Sequence, residues 1–173
     1  MTHIMRIDEM FENTNNLGDM LTNLAFDAIR KACPRSYKEF EAIEEDGAYG
    51  VRMLAYPGEM ECLSDEWEKH IKEVEDAARE DYERDVEFGD TDKTFDEYLE
   101  DYNVDEDPVG YYYLKIEENG TNYTIMALAE IEGVGITIGS KVIFEQDVVF
   151  DKSDEKAFNE VLDEAAEALY NEI

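Results

Sequence analysis

Residues that usually carry chemistry are scarce in this chain. Its 173 residues include two histidines, two cysteines, three prolines, one tryptophan and only 15 lysines and arginines. Cys33 and Cys62 are too few for a disulfide framework or a zinc site and read as reduced thiols of a cytoplasmic protein. No apolar run reaches the 18 residues that a membrane span needs. The opening Met1-Thr2-His3-Ile4-Met5-Arg6 is not followed by the apolar core of a signal peptide. Glycine-rich phosphate loops, GxSxG and HExxH are all missing. His3 lies at the start of the chain and His70 beside an apolar stripe, and neither belongs to a catalytic constellation. Asp90-Thr91-Asp92-Lys93 starts like a calcium loop, but Phe95 and Asp101 stand where that motif needs Gly and Glu. The chain is therefore expected to be no enzyme, with no cofactor and no resident metal.

What is abundant is acid. The 46 Asp and Glu leave a formal charge of −31. Such an excess repels nucleic acid and anionic membrane and strains any compact state through self-repulsion. Disorder does not follow, because 43% of the residues are hydrophobic and 12% aromatic, an ordinary globular content. Adaptation to high salt would spread the acid over the whole surface. Here it is concentrated: residues 1–38 carry 5 acids and 5 bases, residues 39–107 carry 27 acids and 6 bases, and residues 108–173 carry 14 and 4. A charge confined to the middle of the chain points to a surface with a basic partner.

The periodicities predict an α+β fold. Leu17, Leu21, Leu24, Ala28 and Ala32 mark an N-terminal helix stopped by Pro34. Ser36-Tyr37-Lys38-Glu39 has capping-box spacing and predicts a short helix turning Tyr37, Phe40 and Ile43 inward. Tyr49, Val51, Met53 and Ala55 alternate as a strand that ends at Pro57-Gly58. Ser64 is the expected N-cap of a long helix with Trp67, Ile71, Val74, Ala78 and Tyr82 inward. Thr94-Phe95-Asp96-Glu97 is a second capping box, for a helix burying Phe95, Leu99 and Tyr102. Asn119-Gly120 predicts a hairpin between 111–118 and 121–131, and Gly139-Ser140 a second between 136–138 and 141–150. A last helix, capped by Ser153, turns Phe158, Leu162, Ala165 and Leu169 inward. The expectation is a single domain over 1–173, an antiparallel sheet of about four strands packed with N-terminal, central and C-terminal helices. The strongly acidic, mainly helical segment 39–107 lies within it.

The candidate partner-binding residues follow the acid. On the long helix they are Asp65, Glu66, Glu68, Glu73, Glu75, Asp76, Glu80, Asp81, Glu83, Asp85 and Glu87. Beyond it they are Asp90, Asp92, Asp96, Glu97, Glu100, Asp101, Asp105, Glu106 and Asp107. Ordinary solvated faces mix lysine with glutamate, whereas repulsive neighbours such as Asp76–Glu80 and Glu80–Glu83 cost about 0.2–0.5 kcal/mol each. Their retention suggests selection for the charge itself. A helix over 65–87 spans about 35 Å and carries about one net charge per 5 Å; duplex DNA carries one per about 1.7 Å. The −21 of residues 39–107, if gathered on one face, matches about 36 Å of duplex. Tyr98, Tyr102 and Tyr111–Tyr113 are candidate aromatic anchors among the acids.

Two functions are consistent with this pattern. One is an inhibitor whose carboxylates replace phosphates in the basic DNA or RNA site of a nucleic-acid-processing protein, such as a nuclease complex. In size and charge, and in no motif, the chain is similar to phage anti-restriction and anti-CRISPR inhibitors. The alternative is an acidic immunity or chaperone-like protein that neutralises a basic partner without mimicry. Neither calls for direct contact with nucleic acid or membrane.

Overall fold

A computed structural model of the chain describes residues 14–43, 45, 47–102, 108–150 and 155–173. The fold is α+β, with a five-stranded antiparallel sheet and, among the described residues, four α-helices. The helices are α1 (Thr14–Ala32), α2 (Ser64–Glu87), α3 (Phe95–Asp101) and α4 (Lys156–Tyr170). The strands are β1 (Phe40–Ala42), β2 (Ala48–Ala55), β3 (Val109–Asn119), β4 (Asn122–Gly133) and β5 (Ile136–Val148), and they neighbour one another in chain order. The chain divides into two compact units. Unit 1 is Met1–Ala55, Tyr111–Ala129 and Lys141–Ile173; unit 2 is Tyr56–Gly110 and Glu130–Ser140.

Unit 1 holds most of the core. α1 packs on α4 and on β2. Met20, Leu21, Ala25, Ala28 and Ile29 are buried on the inner side of α1; of the expected series only Leu21 and Ala28 are among them, while Leu17, Leu24 and Ala32 are half-buried, so the stripe is rotated from the expected one. α4 buries Phe158, Val161, Leu162, Ala165, Ala166 and Leu169, the expected stripe and two more. Its expected cap, Ser153, lies outside the described residues. Phe158 meets Phe150 and Tyr123 edge-on, with ring centroids 4.8 and 6.1 Å apart. β4 is buried without a break from Ile125 to Ala129, as expected of a strand covered on both faces. The expected β3–β4 hairpin forms, with its turn one residue later than expected, at Gly120-Thr121, where Gly120 has φ 64°.

Three local expectations fail here for non-local reasons. Ser36 makes no capping bond; Tyr37–Glu39 is one 3₁₀ turn, and Phe40 leaves it extended to pair with Met53. The short helix is thus a turn and a strand, the fifth strand that the periodicity did not reveal. Along β2 the buried positions change parity, from Ala48 and Gly50 to Val51 and Met53. The switch sits at Gly50, whose φ of 125° and whose approach to Leu114 admit no side chain: a Cβ there would lie 2.1 Å from the Leu114 carbonyl oxygen. Gly139-Ser140 is not a turn. β5 runs straight through it, and the reversal occurs at Val134-Gly135, where Gly135 has φ 71°. Gly139 serves spacing instead, because a Cβ there would come within 2.8 Å of the Glu66 Cβ.

Unit 2 is thinly packed. Among the described residues its buried apolar side chains are Met60, Leu63, Ala78 and Ile131. Ser64 is the first residue of α2 rather than its cap; two 3₁₀ turns, Pro57–Glu59 and Glu61–Leu63, feed into the helix, and Leu63 occupies the N-cap position without a side-chain bond. Of the expected inward stripe only Ala78 is buried: Trp67, Val74 and Tyr82 are half-buried and Ile71 is 37% exposed. Phe95, Leu99 and Tyr102 of α3 are likewise half-buried.

Candidate functional site: the acidic surface of α2 and α3

α2 is 24 residues long and therefore about 36 Å from end to end. At about 100° per residue, Asp65, Glu66, Glu68, Glu73, Glu75, Asp76, Glu80, Glu83 and Glu87 all fall within about 180° of its circumference. Asp81 and Asp85 point to the other side. The described residues bear this division out: of the seventeen described acids in the expected surface, only Asp81 and Asp85 are half-buried, and the remaining fifteen are exposed. Asp105, Glu106 and Asp107 lie outside the described residues.

The two inward acids hold α3. Tyr98 donates its hydroxyl to Asp85 at 2.9 Å, and Tyr102 donates to Asp81 at 3.0 Å. Tyr82 donates to the Lys93 carbonyl at 2.7 Å, ahead of the helix. The same three rings pack together with Phe95: Tyr82 meets Phe95 and Tyr98 edge-on at 5.5 and 5.2 Å, and Tyr98 stacks on Tyr102 at 6.1 Å. The Asp85 carboxylate accepting its hydroxyl holds the Tyr98 proton up to about pH 12. The first turn of α3 is fixed by the expected capping box. Glu97 accepts from the Thr94 backbone N–H at 3.2 Å and donates its own N–H to the Thr94 hydroxyl at 3.3 Å. Those Thr94 bonds pull the Glu97 carboxyl below the usual carboxylate range.

The bases of the segment are drawn into this joint. Arg79 lies over the Phe95 ring, 4.2 Å from its centroid. Arg84 bridges to Asp81 at 2.7 Å. Lys93 pairs with Asp101, which raises the lysine above its usual range. Lys69 and Lys72, on the first half of α2, are instead exposed on the acidic side of the helix. What remains outward on the second half of α2 is a stripe of four acids, Asp76, Glu80, Glu83 and Glu87, covering about 16 Å. Asp85 and Glu87 also sit in the last turn, where the helix dipole disfavours negative charge.

Beside the stripe, Asp85, Asp90, Thr91, Lys93, Tyr98, Asp101 and Tyr102 line an open depression of about 350 Å³. Three carboxylates and two phenol rings there can receive a cationic side chain, by ion pairing and by cation–π contact. The chain's other expected anchors are not on offer: Tyr112 and Tyr113 are 4 and 5% exposed, and Tyr111 is half-buried under Arg52, 4.4 Å from its ring. The pair of hydrogen bonds from Tyr98 to Asp85 and from Tyr102 to Asp81 is not among the expectations from sequence. Its signal was present, since the two acids and the two tyrosines share one spacing of four residues on successive helices.

Among the described residues no group of three or more His, Cys, Asp and Glu side chains is placed to hold a metal ion, and no helix is long and apolar enough to cross a membrane. His70 stacks on Trp67 with ring centroids 5.6 Å apart. Cys33 is fully buried, which raises its thiol, and the two cysteines are not joined in a disulfide. No family model, no curated protein and no solved structure matches the chain.

Proposed function

We propose that the chain is an acidic, nucleic-acid-mimicking inhibitor that occupies the basic DNA or RNA site of a nucleic-acid-processing protein, of the kind phages use against restriction or CRISPR nucleases. The observation that carries this reading is the exposed stripe Asp76–Glu80–Glu83–Glu87, from which the nearby bases Arg79 and Arg84 have been turned aside. From Tyr56 to Tyr102 unit 2 carries 19 acids and 5 bases. That net of −14 equals the charge on about 24 Å of duplex, near 7 base pairs. Carboxylates at this density pair with the arginines and lysines that grip a phosphate backbone. The inhibitor works in the host cytoplasm, transfers no group and takes no cofactor.

A pull-down from native-host lysate at about 0.1 M and about 0.5 M salt, with and without duplex DNA, tests the proposal. Capture of a nucleic-acid enzyme at low salt that DNA releases supports it. The same capture should be lost when Asp76, Glu80, Glu83 and Glu87 become their amides. Capture that DNA cannot displace favours an immunity or chaperone-like partner, and no capture at either salt sinks both.

A further inference from the structure

The sheet has two edges of very different kinds. β1 contributes three residues, a short edge of the sort that resists further pairing. β5 stands at the other edge and contributes thirteen. Its part within unit 1 is Lys141–Val148. Among the described residues, no element is hydrogen-bonded along its outer side. Neither face is fully covered: Ile143, Phe144 and Val148 are half-buried, and Lys141, Val142, Glu145, Gln146 and Asp147 are exposed. Val142 is 51% exposed and the adjoining Val149 59%. Proteins usually protect such an edge with charges, proline or a bulge. This one has no proline, and its charges are Lys141 at one end and Glu145 and Asp147 towards the other.

The order of residues says what fits there. A charge of −31 repels a second copy, yet Gly133–Phe144 holds no acid, and Lys141–Val148 carries one base against two acids. Two like-charged copies meet with less repulsion along this strip than along the acidic segment 39–107. Its lysine comes first, its acids Glu145 and Asp147 last, and Val142-Ile143-Phe144 between. Laid antiparallel on itself, the strand therefore opposes its own opposite charges. In the register centred on Phe144, Lys141 faces Asp147 at both ends, Val142 faces Gln146, and the two Phe144 residues meet at the axis.

We propose that β5 is a homodimer interface, in which two copies pair antiparallel along Lys141–Asp147 about a two-fold axis and join their sheets. Such an interface is isologous and closed, and the edges left over are the three-residue β1 strands. The Asp147 carboxylate is already positioned, since its Oδ1 accepts the Thr124 hydroxyl at 2.6 Å. Opposite-charge and aromatic cross-strand pairs both favour this register. The dimer presents two acidic surfaces, so a target with two basic sites gains from simultaneous engagement.

Sedimentation equilibrium on the full chain, at about 0.05 M and about 0.5 M salt, reads the outcome directly. The expected mass is twice the 20.0 kDa monomer, with tighter association at the higher salt because screening removes repulsion between copies. That is the reverse of the salt dependence expected for a basic partner. Lys141→Glu sets acids against acids and should weaken the dimer about ten- to a hundredfold. Asp147→Lys alone should weaken it similarly, and the double exchange should restore it, with circular dichroism reporting that each variant is folded. A monomer throughout the concentration range overturns the proposal, as does a folded Lys141→Glu dimer as tight as the parent. Neither result bears on the acidic inhibitor reading, because no partner is present in the measurement.

Discussion

The two units handle the same resources in opposite ways. Unit 1 carries 22 acids and 10 bases and buries side chains from two helices and a sheet; unit 2 carries 24 acids and 5 bases on fewer residues and, among the described residues, buries four apolar side chains. In unit 1 the bases are committed to structure: Lys115 bridges Glu45 and Glu117 at 3.2 and 3.3 Å, and Arg52 bridges Glu41 at 3.0 Å. In unit 2 the bases that form ion pairs or ring contacts, Arg79, Arg84 and Lys93, gather at the α2–α3 joint, and the second half of α2 presents Asp76, Glu80, Glu83 and Glu87 outward. The difference teaches that stability and surface charge are assigned to different parts of one chain. Unit 1 secures a fold by burial, and unit 2 keeps a surface that burial and charge balance would both spoil.

If that division holds, the largest loss should come from unit 1. Phe158→Ala removes a fully buried ring from an aromatic triad and should cost about 3–5 kcal/mol in a urea melt. A loss under about 1 kcal/mol would mean that the core described for unit 1 is not what holds the protein. In unit 2, Thr94→Ala should cost about 1 kcal/mol, read locally as faster amide exchange in α3 rather than as global unfolding. Acid should have the same local effect. Because the folded Glu97 carboxyl lies below its unfolded value, its contribution is complete above the unfolded value near pH 4.3 and is lost as pH falls through the lower folded one. Exchange in α3 that is unchanged across this window would sever the capping box from the helix it starts.

The smallest effect carries the most information about purpose. Glu80→Lys with Glu87→Lys turns three repulsive neighbour pairs on α2 attractive and two attractive ones repulsive, and it places a cation at the helix C-terminus. The helix should gain about 0.5–1 kcal/mol at low salt, measured by thermal melting, while capture of the basic partner weakens. A variant that is more stable and binds less well marks the acids as kept for binding. Equal capture would show that this stripe is not the working face.

What could be read from the sequence was what neighbours decide. Thr94 and Glu97 lie three residues apart, Asn119-Gly120 signals a hairpin by itself, and the α4 stripe needs only its own period; all three stand in the structure, the hairpin with its turn one residue later. The failures have partners far along the chain. Phe40 became a strand because Met53 pairs with it, Gly50 switched the parity of β2 because Leu114 is close, and Gly139 continued a strand because Glu66 needed the room. The candidate surface divides the same way. Exposure of thirteen helical acids followed from helix periodicity, but the inward turn of Asp81 and Asp85 depended on tyrosines of the next helix.

The stack of Trp67 on His70 has a practical consequence. Trp67 is the chain's single indole, and it belongs to unit 2. Its emission is therefore a private reporter of the acidic unit, while far-ultraviolet dichroism sums helices and strands from both. If the thinly packed unit loosens first on heating, the two optical traces will separate. The gap between their midpoints then measures how far the binding surface can melt while the rest of the protein stays intact.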